Sequence, residues 1–74
     1  MPRYYFHIRD HDRLIPDEEG LDLPDDGDAR LEAEASADDL IRDALVSGED
    51  VRHQSLEIVN ASGRGIATIA LSDR

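Results

Sequence analysis

Ala29-Arg30-Leu31-Glu32-Ala33-Glu34-Ala35-Ser36-Ala37-Asp38-Asp39-Leu40-Ile41-Arg42-Asp43-Ala44-Leu45-Val46-Ser47 is the stretch that decides the fold class. Ala29, Ala33, Ala37, Leu40, Ile41, Ala44 and Leu45 recur at three- and four-residue spacing, while Glu32, Glu34, Asp38, Asp39 and Asp43 mostly fall off that stripe, which is the pattern of an amphipathic helix. Alanine lines its first half and would allow close approach to a sheet; Leu40, Ile41 and Leu45 are the larger residues of its second half. Gly48 is a natural stop. Upstream, Pro24 and the run Asp25-Asp26-Gly27-Asp28 supply a start, because an aspartate accepts from free helical N–H groups and meets the positive end of the helix dipole. The helix is expected over residues 26–47, capped by Asp25, Asp26 or Asp28.

The sequence on both sides of this helix is of β type. Arg3-Tyr4-Tyr5-Phe6-His7-Ile8-Arg9 puts Tyr4, Phe6 and Ile8 on one face and Tyr5, His7 and Arg9 on the other. Asp10-His11-Asp12 then connects to Arg13-Leu14-Ile15, a short antiparallel return that Pro16 terminates. Residues 16–25 form an acidic loop in which Leu21 and Leu23 are the apolar anchors. After the helix, strands are expected over 55–60 and 65–71, joined by the glycine-containing turn Asn60-Ala61-Ser62-Gly63-Arg64-Gly65. The chain therefore reads as a single α+β domain spanning residues 1–74, of order β-β-α-β-β, with one amphipathic helix on a small, mainly antiparallel four-stranded sheet. Two sheet orders fit: the first strand parallel to strand 55–60 through a right-handed crossover, or antiparallel to strand 65–71.

Apolar residues of the second hairpin occupy both parities, and a strand apolar on both faces needs cover on both. One helix covers one face. The far face, with Tyr5, His7, Val59, Ile69 and Leu71 as its expected residues, either stays partly exposed or is covered by a second copy, and an edge strand offers another route to a homodimer. Size points the same way. A 74-residue chain is marginal unless a disulfide, a metal or a subunit adds stability, and the absence of cysteine closes the disulfide route along with thiolate chemistry.

Eighteen acidic and eight basic residues give a formal charge of -10, which disfavours direct contact with nucleic acid or anionic lipid. The charge suits solubility or a basic protein partner. All the basic residues are arginine. The longest uncharged run is far shorter than the roughly 18 apolar residues of a membrane span, and Met1-Pro2-Arg3 leads straight into a strand, so a cytoplasmic, membrane-free protein is expected.

Candidate chemistry is sparse. His7 and His11 are spaced as a helical metal pair but sit on a strand and in a turn; with Asp10, Asp12 and His53 they compose a rival reading, a metal- or ligand-binding protein. Asp17, Glu18, Glu19, Asp22, Asp25, Asp26 and Asp28 offer oxygen ligands for a hard cation without EF-hand spacing. No serine stands in a nucleophile elbow, and Gly63-Arg64-Gly65 is too short for a phosphate loop. The sequence reading is a non-catalytic module with no cofactor, no catalytic residue and no committed metal ligand.

Met1-Pro2-Arg3-Tyr4-Tyr5-Phe6-His7-Ile8-Arg9, Asp17-Glu18-Glu19-Gly20-Leu21 and Leu23-Pro24-Asp25 together resemble a family of short bacterial proteins known only as a domain of unknown function, number 6894. The resemblance covers nearly the whole chain and includes Ala29-Arg30, Glu32-Ala33 and a terminal hairpin with a Gly-Arg turn. It implies the domain boundaries and brings no activity, ligand or site residue. Gly27 and Asp28 depart from the helix-favouring residues expected at the first turn.

Overall fold

The computed structural model describes residues 1–73. The chain runs through β1 (Arg3–Asp10), β2 (Arg13–Ile15), β3 (Leu21–Asp22), α1 (Asp26–Ser47), β4 (Gln54–Asn60) and β5 (Gly65–Ala70), and ends in a 3-10 turn over Leu71–Asp73. The sheet order is β2-β1-β4-β5, with β3 pairing β1 on the same side as β2. Every pairing is antiparallel. The α+β class and the β-β-α-β-β order hold, and β3 makes the sheet five-stranded rather than four-stranded.

Neither expected sheet order occurs: β1 pairs neither in parallel with residues 55–60 nor with residues 65–70, but antiparallel with β4 over Tyr4–Asp10. The route of the chain explains this. β2 pairs with Ile8–Asp10 and β3 with Arg3–Tyr4, so the chain descends the whole edge of β1. The helix, 22 residues and so about 33 Å long, carries it back up, and the next strand must descend beside β1.

Residues opposite each other in an antiparallel pair share a face. Phe6 opposes Ile58 and Ile8 opposes Leu56, while Ile58 opposes Ala67 and Leu56 opposes Ile69. These side chains and Tyr4 form the face that packs with α1: Tyr4, Leu56, Ile58, Leu71 and Ala29, Ala33 and Ala37 are one buried cluster, with Phe6, Ile8, Leu23, Leu40, Ile41 and Ile69 against it. Three fully buried alanines let the helix backbone lie close to the sheet. Leu45 departs from the expected stripe and is 77% exposed, because at about 100° per residue it lies roughly 120° around the helix from Ala33. Ile69 and Leu71 are likewise corrected: Ile69 shares the helix-side face with Leu56, and Leu71 leaves the strand after Ala70 and turns into the core. Neither belongs to an outer interface.

The helix ends are explicit. The Asp25 side chain accepts from the Asp28 N–H at 2.9 Å, so Asp25 is the N-cap, and Gly48, with φ 78°, donates its N–H to the Ala44 carbonyl from the left-handed conformation that glycine adopts without penalty. The buried Tyr4 donates its hydroxyl proton to Asp26 Oδ1 at 2.7 Å, stapling β1 to the first helical turn. The Leu23 N–H donates to the Pro2 carbonyl at the same end of the sheet.

Replacing Ala33 by leucine is expected to lower stability by about 1 to 3 kcal/mol through overpacking, read from urea unfolding, whereas Ala35→Leu, on the exposed side of the helix, should stay within about 0.5 kcal/mol. The hydrogen bond to Asp26, with burial and the carboxylate charge behind it, pushes the Tyr4 hydroxyl up to about 12. A raised value means the folded state holds its proton after the unfolded state has lost it, so stability is full below the ordinary tyrosine value of about 10 and falls between about 10 and 12. Tyr4→Phe should remove that alkaline decline in a melting series against pH.

Candidate functional site

Two regions gather polar side chains: the outer face of the sheet, remote from α1, and the end of the sheet where β1 turns into β2. On the outer face, Asp17 is the organiser. β1 has β2 along one end of its edge and β3 along the other, and between them the Phe6 N–H donates to Asp17 Oδ2 at 3.1 Å. Asp17 Oδ1 accepts from the N–H groups of Glu19 and Gly20, the local turn an aspartate favours. The Asp17 N–H in turn donates to His7 Nδ1 at 2.9 Å, so that ring nitrogen is an acceptor and carries no proton here. Burial opposes the Asp17 charge, but the three backbone N–H groups, Phe6 foremost, outweigh it and hold the carboxyl below the usual range.

Gly20 completes the cover. With φ 74° it is in the left-handed region, and a Cβ would lie 2.9 Å from Arg3 Cγ, the Tyr4 carbonyl and Tyr5 Cε1. Tyr5 and His7 stack with centroids 6.3 Å apart. Arg3 spans to Asp22 at 2.8 Å and to the Glu19 carbonyl. The acidic loop thus folds over the Tyr5 and His7 end of the outer face.

Of the expected interface residues, Tyr5 and Val59 oppose each other across β1 and β4, and His7 opposes Glu57, which places these on the outer face. The Arg9–Glu57 ion pair, at 2.9 Å and about one third exposed, crosses the same surface. The face is a mosaic of rings and a charge pair rather than a continuous apolar patch. The outermost strand, β5, reads Gly65-Ile66-Ala67-Thr68-Ile69-Ala70, and Arg30 donates to its Ile66 carbonyl at 3.0 Å.

The histidines do not act together. His7 belongs to the Asp17 contact, while His11 and His53 meet at the opposite end, rings stacked at 4.5 Å and 11°. His53 Nε2 lies 2.9 Å from Asp10 Oδ1, and Gln54 Nε2 donates to Asp10 Oδ2. These contacts, the Gln54 amide first, hold the Asp10 carboxyl below its ordinary value against some burial. Arg52 clamps Asp50 bidentately and shapes the connector that delivers His53. The acids once considered as a cation loop are divided among separate tasks: Asp17 binds backbone, Asp22 pairs Arg3, Asp25 caps the helix and Asp26 accepts from Tyr4. Sequence reading missed the Asp17 role, whose signal was an aspartate three residues before a glycine; of the histidines it grouped, the structure brings His11 and His53 together with Asp10 and places His7 elsewhere.

The family model described as Domain of unknown function (DUF6894) matches residues 3–72, and the chain belongs to that family. No curated protein and no solved structure matches it. Among the described residues, no helix is long and apolar enough to cross a membrane.

Asp17→Ala is expected to cost about 1 to 3 kcal/mol, since it leaves the Phe6 N–H at the edge of β1 without its acceptor. Because the Asp17 value is depressed by folding, its contribution is present above the unfolded carboxylate value of about 3.9 and is lost as pH falls through the folded one. Urea unfolding of the wild type and of Asp17→Asn from pH 7 down to pH 2 should show a shallower acid decline in the variant.

Proposed function

We propose that the protein is a non-catalytic interaction module that pairs with a second copy of itself along the free edge of β5. The observation that carries this reading is the composition of that edge. β5 is six residues long and holds no charge and no proline of its own, the devices by which exposed edges are ordinarily blunted, and Arg30 of α1 reaches it at the Ile66 carbonyl. The opposite edge is blunted: it is split into two short strands, carries Arg13 and Asp22, and is interrupted at Pro16.

Charge favours antiparallel pairing of the two copies. Arg64 flanks one end of β5 and Asp73 follows the other, so a twofold arrangement brings each arginine beside the other copy's aspartate, and a parallel one sets like charges together. A closed twofold contact also limits growth to a dimer. The outer face, where the acidic loop covers Tyr5 and His7 and leaves the Val59 side uncovered by it, then belongs to a continuous sheet spanning both copies, and the charge of -10 would attract a further basic protein partner to it. A cytoplasmic setting fits a chain that has no cysteine to oxidise.

Light scattering over a dilution series should show a dimer at tens of micromolar, and added salt should tighten it by screening the net repulsion between copies. Thr68 is exposed, so Thr68→Lys should leave the fold intact and shift the protein to monomer. A wild-type monomer at high micromolar concentration in 0.5 M salt overturns the reading.

A further inference from the structure

We infer that Asp10, His11 and His53 form a binding site for a divalent transition-metal ion, of which zinc is the representative. The ligand atoms of the three side chains lie within 4.8 Å of one another. Ligand atoms on one zinc ion sit about 3 to 3.5 Å apart, given bonds near 2.0 Å, so small rotations of two partly exposed rings close the set. Two imidazoles and one carboxylate form a borderline donor set that suits zinc, nickel or copper; calcium and magnesium ask for oxygen. Three protein ligands leave a position for water or another ligand.

Two further features belong to such a site. The Asp10 carboxylate is held from behind by the Gln54 amide at 3.2 Å, the outer-shell bond that orients a ligating carboxylate. His11 has φ 57° and is the one non-glycine described residue with a positive φ. It occupies the first of the two loop residues between Asp10 and Arg13, where Asp12 does not share the positive φ, and glycine is the residue this turn ordinarily places there. Histidine is among the non-glycine residues that enter the left-handed region most readily, yet it still carries a local backbone cost there that glycine would not. That conformation sets the ring against His53, which arrives from the connector before β4.

The ion would tie the β1–β2 turn to the α1–β4 connector and so link metal binding to stability. Binding to the folded chain alone adds about 2.7 kcal/mol at a free ion concentration 100-fold above Kd, equivalent to a rise in Tm of at least about 10 °C for a domain of this size.

The full chain should be titrated with zinc chloride by calorimetry and by amide NMR, with calcium and magnesium chloride as comparisons. The expected result is one zinc per chain, shifts confined to Asp10–Asp12 and Arg52–Gln54, the rise in Tm, and no response to the other two ions. His11→Gly is the decisive variant, since it relieves the turn: its Tm without metal should equal or exceed that of the wild type while its zinc affinity falls at least tenfold. His53→Ala should lose affinity to a similar degree, and Asp12→Ala should retain it. Absence of heat and of shifts with zinc, an affinity unchanged in His11→Gly, or a half-integral stoichiometry from zinc bridging two copies would each overturn the inference.

Discussion

The Asp17 carboxylate bound to the Phe6 N–H is the contact on which the rest of this small fold depends. β1 is the central strand, and its β4 side is paired without interruption over seven residues. On the other side β2 and β3 reach only its two ends, and an unpaired N–H facing an otherwise covered edge would cost about as much as a lost hydrogen bond. Asp17 stands where a strand residue is missing. By also binding Glu19 and Gly20 it turns the loop so that β3 can form, which brings Leu23 to Pro2, Asp25 to its cap and Asp26 to Tyr4. The start of α1 is positioned through this chain of short contacts.

The helix then explains why the sheet needs nothing larger above it. Alanines at residues 29, 33 and 37 are fully buried and bring two layers together with little side-chain volume between them. Such a core contributes modest burial, since the hydrophobic gain scales with the apolar area removed from water. The polar pegs therefore matter more here than in a larger domain. Tyr4–Asp26, Asp17–Phe6 and Asp10–Gln54 each join segments distant in sequence, and each has a protein partner that replaces water.

Much of this was legible in the sequence because it is local. The bounds of α1 follow from Pro24, the aspartates and Gly48, and the strand faces of β1 from simple alternation. The sheet order was not legible, because it depends on whether residues 16–22 turn away from β1 or continue down its edge, and that is decided by one aspartate among seven neighbouring acids. Ile69 and Leu71 were misplaced for a related reason: parity holds within a strand, but the bulge at Ile58 and Val59 and the 3-10 turn after Ala70 reset it. Leu45 was assigned to the stripe from spacing alone, although spacing from Ile41 places it beyond the buried arc.

The two ends of the sheet differ in how they are held. At the end near Tyr4, backbone bonds, a helix cap and a tyrosine hydroxyl fix the chain. At the other end, the β1–β2 turn and the connector before β4 are joined by Asp10, Gln54 and two stacked imidazoles, and those contacts weaken if both rings carry charge, since like charges at 4.5 Å repel. The strained backbone at His11 adds to the cost of that end. The stacked rings face one carboxylate there, and a bound cation would take both rings and that carboxylate as ligands. The least secured end of the fold is therefore the one whose side chains gain most from an ion.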